Sequence, residues 1–281
     1  MTLLPDYIII GAMKCGTSTL AAQLGAQDGL FMTDPKEPNF FSDSDIYARG
    51  LDWYSALFAG AAPDDLRGEA STHYTKRPDY PDVIARLTAT GARPRLIYMI
   101  RNPLERVVSH YMHEWSEGTI SCDLGTALHR CPALIDYSCY GDQIAPWAAQ
   151  FGTENILPLS LEALQKDHRA VLNAAGAFLG RPDLVWQDDK ERINASADRI
   201  RKLPFQDILI NNPVAIMLRR TLIPQRLRDN IRQSRQMRER PTLTAADRAM
   251  LERRFARDYL KLKSILPGYA DLDLSYPFLP S

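Results

Sequence analysis

Residues 7–20, YIIIGAMKCGTSTL, decide the fold of this chain. The first four are apolar and mostly β-branched, which predicts a short buried strand. Gly11 ends that strand, and Thr17-Ser18-Thr19 open a predicted helix after a tight turn. The first N–H groups of a helix have no intrahelical partner, and the helix dipole adds positive charge there. The arrangement therefore predicts a phosphate site.

The position of the lysine separates this turn from the loop that binds nucleoside triphosphates. In that loop, G-x-x-x-x-G-K-[ST], the lysine follows the second glycine. Here Lys14 precedes Gly16, and Thr17 stands where the lysine is usual. The lysine–hydroxyl pair that supports Mg²⁺ is lost, which favours a donor whose transferable group is activated without a metal.

A second strand-to-helix segment lies further along the chain. Residues 93–100 predict a strand that ends at Arg101, and residues 104–115 have the apolar spacing of a helix, with Ser109 on it. Open parallel sheets bind ligands at the carboxyl ends of their strands, and a planar guanidinium pairs well with a phosphate. The alternative is that Arg101 caps the sheet and Ser109 is an ordinary helix residue.

Both segments resemble the phosphate-binding motifs of sulfotransferases that use 3′-phosphoadenylyl sulfate (PAPS). The first resembles K-x-G-T-x-x-L, and the second resembles R-[ND]-P-x-x-R-x-x-S-x-Y. The resemblance implies that Lys14 stabilises charge on the leaving phosphate oxygen. It also implies that the first loop holds the 5′-phosphate and that the second motif holds the 3′-phosphate. The residues implied to bind the donor are Lys14, Cys15 (through its backbone), Gly16, Thr17, Ser18, Thr19, Arg101 and Ser109.

A later loop completes the donor site that the resemblance implies. Residues 192–202 resemble the loop that closes over PAPS, and Arg199 and Arg201 are equally good candidates for contact with the 3′-phosphate. The implied donor substrate is PAPS, the implied product is PAP, and no metal is expected.

The predicted catalytic base lies between the two motifs. Residues 36–41, KEPNFF, resemble the K-E-x-x-F-F segment that carries the catalytic carboxylate in glycan-type sulfotransferases and their bacterial relatives. Transfer to an alcohol needs a group that accepts the hydroxyl proton, and Glu37 is the first candidate. His73 is the alternative base, because the soluble small-molecule sulfotransferases use a histidine near this place. His73 lies one residue away from the position of that histidine. Since side chains alternate between the two faces of a strand, this offset could turn His73 away from the site.

One position departs from the glycan-type pattern. Residues 68–74, GEASTHY, resemble a G-E-x-S-x-x-Y strand end, but Ala70 stands where those enzymes often have a lysine. A cation near the reacting sulfate is then either missing or supplied from elsewhere, with Lys36 and Lys76 as the candidates.

Composition limits the class of protein. The 281 residues are 45% hydrophobic, which fits one large α/β domain or two small ones, and the resemblance implies a single sulfotransferase domain over 1–281. The net charge of zero gives no reason to expect nucleic acid as a partner. No membrane-spanning run or secretory signal is seen, so we expect a cytoplasmic protein. The spacings of Cys15, Cys122, Cys131 and Cys139 match neither a zinc ribbon nor a C-x-x-C pair. We favour free thiols, with a Cys122–Cys131 disulfide in an oxidising compartment as the alternative, and expect the helix N-terminus to lower the pKa of Cys15.

The order of elements predicts the architecture. Strands near 7–10, 29–33, 66–71, 95–100 and 155–159 alternate with helices, which indicates an α/β, P-loop NTPase-like three-layer fold with a central parallel sheet. The C-terminal part is predicted to be helical and Arg-rich: residues 199–240 hold 11 Arg or Lys against 3 Asp or Glu. That segment either packs on the core, faces an anionic acceptor, or makes peripheral contact with a membrane.

The predicted function is transfer of a sulfuryl group from PAPS to a hydroxyl of a glycan, a lipid or a small natural product. Two alternatives stay open at this point. A nucleotide kinase of the same fold would use ATP and Mg²⁺, and a non-catalytic nucleotide-binding adaptor would show no turnover.

Overall fold

A five-stranded parallel sheet forms the centre of the computed structural model, which describes residues 2–188, 237 and 239–280. The strands follow the order β2-β3-β1-β4-β5 across the sheet. They are β1 (Tyr7–Gly11), β2 (Leu30–Met32), β3 (Leu66–Ala70), β4 (Arg95–Ile100) and β5 (Ile156–Ser160). All five predicted strands are therefore confirmed, with ends that differ by a residue or two from the expected ones.

Helices flank this sheet. In the described ranges they are α1 (Thr17–Gly25), α2 (Ser44–Tyr47), α3 (Leu51–Ala56), α4 (Val83–Ala89), α5 (Pro103–Glu117), α6 (Leu124–Arg130), α7 (Ala133–Asp136), α8 (Tyr140–Phe151), α9 (Leu161–Lys166), α10 (His168–Leu179) and α11 (Ala245–Ile265). Short 3-10 helices span Thr72–Thr75, Thr153–Asn155 and Ala270–Ser275. A parallel sheet covered by crossover helices is the predicted α/β class.

The strand order places a ligand crevice beside β1. From β1 the chain moves to one side of the sheet to form β2 and β3, and then crosses to the other side to form β4 and β5. The topological switch therefore lies between β1 and β4, and open α/β sheets bind ligands outside the carboxyl ends of their strands at that point. Because β1 is central and covered on both faces, all five of its residues are buried.

The C-terminal helix α11 is fixed by polar contacts at two places. The hydroxyl of Thr244 accepts a hydrogen bond from the N–H of Asp247 at 3.1 Å and so caps the N-terminus of the helix. Further along, the buried carboxylate of Asp258 accepts hydrogen bonds from the N–H groups of Gly141 and Asp142, each at 2.8 Å. Burial raises the pKa of Asp258 to about 6. This carboxylate caps the first turn of α8 and so joins the two helices.

Two observations concern the predicted contact of this protein with a membrane. No helix in the described ranges combines the length and apolar character needed to cross a bilayer. The Arg-rich segment 199–240, on which the predicted membrane contact rests, lies outside the described residues except for Met237, Glu239 and Arg240. Contact with a membrane surface stays a prediction.

We expect Gly141→Ala to destabilise the fold. A glycine-to-alanine change inside a helix normally gains up to about 1 kcal/mol. Here the added Cβ would lie 2.5 Å from the carbonyl oxygen of Asp258 and 2.8 Å from the backbone nitrogen of Leu262, and backbone atoms cannot rotate away. We expect the free energy of unfolding in urea to fall by about 2 kcal/mol. Gly268→Ala is the control, since nothing lies within 4 Å of its added Cβ. Equal stability of both variants would contradict the close α8–α11 contact.

Candidate active site

A cavity of about 950 Å³ opens at the carboxyl ends of β1 and β4. The turn after β1, the start of α1, the loop after β2, the 3-10 helix after β3 and one face of α5 all contribute to its wall. The predicted site residues that line it are Lys14, Gly16, Thr17, Ser18, Thr19, Glu37, His73, Arg101 and Ser109. The fold thus brings together both predicted phosphate-binding motifs and both candidate bases.

Left-handed backbone conformations shape the turn after β1. Lys14 has a φ of 69° and Gly16 a φ of 87°. A Cβ on residue 16 would come within 2.9 Å of Leu161 Cδ1, so both the dihedral angle and the space favour glycine. The turn directs the chain straight into α1 at Thr17, which presents the unpaired N–H groups of the helix start to the cavity.

Arg101 lies at the tip of β4 and contacts the first motif directly. Its Nη1 donates to the carbonyl of Lys14 at 3.3 Å, and its Nε is buried with no hydrogen-bond partner among the described residues. The hydroxyl of Tyr140 donates to the Arg101 carbonyl at 2.9 Å, and Glu162 accepts from the N–H of Asn102 at 2.8 Å. The main chain around Arg101 is therefore fixed, while the Nε–H of its guanidinium has no hydrogen-bond partner among the described residues.

Arg106 supports the same turn from behind. Its side chain is completely buried, with Nε donating to the carbonyl of Met13 at 3.1 Å and Nη1 donating to Ser138 Oγ at 2.9 Å. We did not predict this role, although the second motif includes an arginine at this place. The two arginines of the second motif thus hold two successive carbonyls of the turn after β1.

Glu37 is a charged carboxylate with both oxygens engaged. Lys36 Nζ donates to Oε1 at 2.7 Å, and Thr72 Oγ1 donates to Oε2 at 2.9 Å. Burial alone would raise the pKa of Glu37, but the Lys36 ammonium and these hydrogen bonds outweigh it, and the pKa lies below its ordinary value. Two aromatic residues that follow it, Phe40 and Phe41, are buried in the core and anchor the loop, as expected.

His73 lines the same cavity, so the expectation that its offset could turn it away is wrong. The reason is that β3 ends at Ala70, and His73 lies in the 3-10 helix Thr72–Thr75, where side chains do not alternate between two faces. Its ring stacks on Tyr80 with the centroids 4.8 Å apart. Burial and the nearby Lys76 charge lower the pKa of His73 to about 4, so the imidazole is neutral at physiological pH.

Several cavity residues were missed by the sequence analysis. His113 and Ser116 follow Ser109 at four and seven positions on α5, so helical spacing from Ser109 points to them. His168 and Trp186 also line the cavity, with ring centroids 4.5 Å apart. The indole Nε1 of Trp186 is buried and has no partner in the described part of the chain. No local pattern identifies Trp186, since it reaches the site only through the packing after α10.

Cys15 does not behave as predicted. Its side chain is fully buried behind the turn, where the thiol contacts the carbonyl of Met13 and the hydroxyl of Tyr140, each at 3.6 Å. Burial raises the pKa of this thiol, whereas we expected the helix N-terminus to lower it. Its N–H donates to the carbonyl of Ala12 at 3.2 Å, and Cys15 is absent from the cavity lining, unlike its neighbours.

Two other predictions concern the remaining cysteines and the late loop. Cys122, Cys131 and Cys139 are free thiols, like Cys15, as expected. Arg199 and Arg201 lie outside the described residues, so their assignment to the 3′-phosphate stays a prediction.

Comparison with known proteins adds independent findings. A family model described as a sulfotransferase domain matches residues 4–246. Heparan sulfate glucosamine 3-O-sulfotransferase 3B1 of Mus musculus is 31% identical over 194 residues, covering 65% of this chain and 47% of that protein. Bifunctional heparan sulfate N-deacetylase/N-sulfotransferase 2 of Homo sapiens is 27% identical over 169 residues, covering 58% of this chain and 16% of that protein. The crystal structure of a sulfotransferase from Alicyclobacillus acidocaldarius has a TM-score of 0.69 at 20% identity and covers 96% of this chain and 98% of its own.

The chain belongs to the sulfotransferase family. The match over residues 4–246 confirms the resemblance drawn from the two motifs. The Alicyclobacillus structure shows the same fold, which confirms the predicted architecture. The chain spans about half the length of the first curated relatives it matches, 47% in the two mouse proteins.

We expect Arg106→Lys to loosen the turn after β1. A lysine cannot reach Met13 and Ser138 together, so one buried acceptor loses its partner. The free energy of unfolding in urea should fall by about 1.5–3 kcal/mol, the usual worth of a hydrogen bond to a charged group. Arg93→Lys is the control, because Arg93 makes one exposed bond, to the Gln150 carbonyl at 3.3 Å. A loss no larger than in the control would show that Arg106 does not hold the turn.

Proposed function

We propose that this protein transfers a sulfuryl group from PAPS to a hydroxyl group of an acceptor. One observation carries the proposal: the turn at the start of α1 and the guanidinium of Arg101 line one cavity and are joined by the bond from Arg101 to the Lys14 carbonyl. Two neighbouring anion-binding groups that line one cavity suit a nucleotide with phosphates at both its 5′ and 3′ positions. Spare buried donors on Arg101 and Trp186 also suit a polar ligand there.

The two motifs would bind different phosphates of the donor. Thr17, Ser18 and the free N–H groups of α1 would hold the 5′-phosphate, and Arg101 and Ser109 would hold the 3′-phosphate. Lys14 would stabilise the negative charge that develops on the phosphate oxygen as its bond to sulfur breaks. These groups together supply fixed positive charge, so the proposal requires no metal.

Glu37 would act as the base. The acceptor oxygen forms a bond to sulfur while the bond from sulfur to the phosphate oxygen breaks, and the hydroxyl proton passes to the carboxylate. Lys36 and Thr72 hold that carboxylate in one orientation. Positioning of the acceptor in line with the leaving oxygen would supply much of the acceleration.

The acceptor class follows from the relatives. Several bear names that include heparan sulfate, so a glycan hydroxyl comes first, ahead of a lipid or another natural product. The Arg-rich segment that would favour an anionic acceptor lies largely outside the described residues. A cytoplasmic location stays a prediction.

The donor proposal predicts that the 3′-phosphate matters. PAP should bind at least about tenfold more tightly than adenosine 5′-monophosphate, because Arg101 adds charge-assisted hydrogen bonds to the extra phosphate. Arg101→Met should remove most of that ratio, whereas Arg93→Met, outside the cavity, should preserve it. Isothermal titration calorimetry measures both affinities. Equal affinity for the two nucleotides in the native protein, or preferential binding of ATP with Mg²⁺, would reject PAPS as the donor.

The base assignment predicts that Glu37→Gln abolishes transfer while PAP affinity stays near normal. Its kcat should fall about 10²–10⁴-fold, the usual worth of a general base. The pKa of Glu37 lies below its ordinary value and that of His73 is about 4, so both groups are unprotonated at neutral pH and a pH profile does not separate them. His73→Ala is therefore measured in parallel, with Glu154→Gln as a control outside the cavity. Loss of transfer in His73→Ala alone would reassign the base.

A further inference from the structure

Two lysines besides Lys14 lie close to Glu37, and the structure gives them different surroundings. Lys36 forms a salt bridge with Glu37 at 2.7 Å, and it lines a neighbouring crevice on the outer side of α1 instead of the cavity. Lys76 lines the cavity itself, together with Glu37, Thr72 and His73. Of the two cations considered from the sequence, only Lys76 is therefore placed to meet a ligand in this cavity.

The backbone of Lys76 is fixed and its side chain is largely shielded from water. Its N–H donates to the carbonyl of His73 at 3.2 Å, and its own carbonyl accepts from the N–H of Tyr80 at 3.2 Å. The residue is 9% exposed, and its ammonium lies 5.9 Å from the centroid of the Tyr137 ring. The anchored main chain limits the volume that the ammonium can sample, so its charge is held at this wall.

The charges around Lys76 leave it partly uncompensated. Burial is the largest influence and lowers its pKa to about 8. Attraction to carboxylates opposes that effect, and repulsion from Arg106 adds to it. The charged and titratable groups around it in the described residues are Glu37, Asp79, Glu114, Arg106, His73, His110 and Tyr137. None of the carboxylates in the described residues lies within 4 Å of this ammonium, so none of them forms a salt bridge with it, and an anion in the cavity would supply one.

The position of Lys76 indicates which part of the donor that anion is. The proposed phosphate sites are formed by the start of α1 and by Arg101, whereas Lys76 shares its part of the wall with the proposed base and with Thr72, which holds that base. The anionic group that must approach the base during the reaction is the one being transferred. We propose that Lys76 binds the oxygens of the transferring sulfuryl group and is a catalytic residue; this inference rests on the proposed function.

The chemistry assigns a task to a second cation. As the bond from sulfur to the phosphate oxygen breaks, Lys14 faces the leaving oxygen. Negative charge also resides on the sulfuryl oxygens while the bond from sulfur to the acceptor oxygen forms. A fixed cation beside those oxygens, in a site shielded from water, stabilises this transition state. The proton still passes from the acceptor hydroxyl to Glu37, and Lys76 keeps its own protons throughout.

The test compares Lys76→Met and Lys76→Arg with the native protein. Two reactions are followed with ³⁵S-labelled PAPS: slow hydrolysis to PAP and sulfate without an acceptor, and transfer to heparan sulfate. Lys76→Met should lower kcat of each observed reaction about 10²-fold or more, because the same sulfuryl oxygens take part in both. Lys76→Arg keeps the charge and should retain more of the activity. The affinity for PAP, which lacks the sulfuryl group, should change less than twofold in both variants.

The pH dependence provides a readout that a purely structural role would not change. An ammonium with a pKa of about 8 loses its charge as the pH rises through that value, so native kcat should fall on the alkaline side. A bound sulfuryl group favours the charged form and moves this fall to higher pH. Lys76→Arg should lose the alkaline fall, because a guanidinium stays protonated over this range.

Other outcomes would overturn the inference. An increase in the KM for heparan sulfate with unchanged PAPS hydrolysis would mean that Lys76 binds an anionic group of the acceptor. If PAP affinity and thermal stability both fall, and fall to the same extent in Lys76→Met as in Lys76→Arg, the role of Lys76 is structural. If Lys76→Met turns over PAPS like the native protein, only this inference fails. If the native protein itself neither hydrolyses nor transfers the sulfuryl group of PAPS, the proposed function fails as well.

Discussion

Hydrogen bonds from two arginines to one turn are the constraint on which the candidate site depends. Arg101 holds the carbonyl of Lys14, and the buried Arg106 holds the carbonyl of Met13. The turn contains left-handed residues, including the non-glycine Lys14, and such a conformation needs support from its surroundings. Because both arginines follow β4, the contacts also fix the loop after β1 against its neighbouring strand. The two halves of the cavity are therefore built as one unit.

Burial sets the electrostatics of this cavity. Glu37 stays charged because Lys36 and Thr72 compensate for its loss of water, whereas His73 becomes neutral and Lys76 is held with a pKa of about 8. A cavity with these properties attracts anions while it keeps an acceptor for a proton. The charge of Glu37 is compensated within the protein, by Lys36 and Thr72. Under our proposal the charge of Lys76 is compensated by a ligand, the transferring sulfuryl group.

The fold was predictable from local patterns because its sheet is parallel and central. Buried parallel strands are short apolar runs, and β1 and β4 show such runs between clear turn signals. The predicted anion site at the start of α1 and the position of Arg101 follow directly, since both depend on residues next to a strand end. The position of Ser109 in the site could also be predicted from the sequence, because helical spacing places it on the same side of α5 as the strand tip.

The sequence by itself determined the order of elements, the positions of the two motifs that we predict to bind phosphate, and the two candidate bases, Glu37 and His73. Only the tertiary structure decided which side chains enter the cavity. It buried the thiol of Cys15 behind the turn, and it brought Trp186 to the wall of the cavity. It also placed Lys76 in the cavity and Lys36 in a neighbouring crevice. The physical reason is that burial and charge compensation depend on neighbours distant in sequence, whereas strand and helix signals are local.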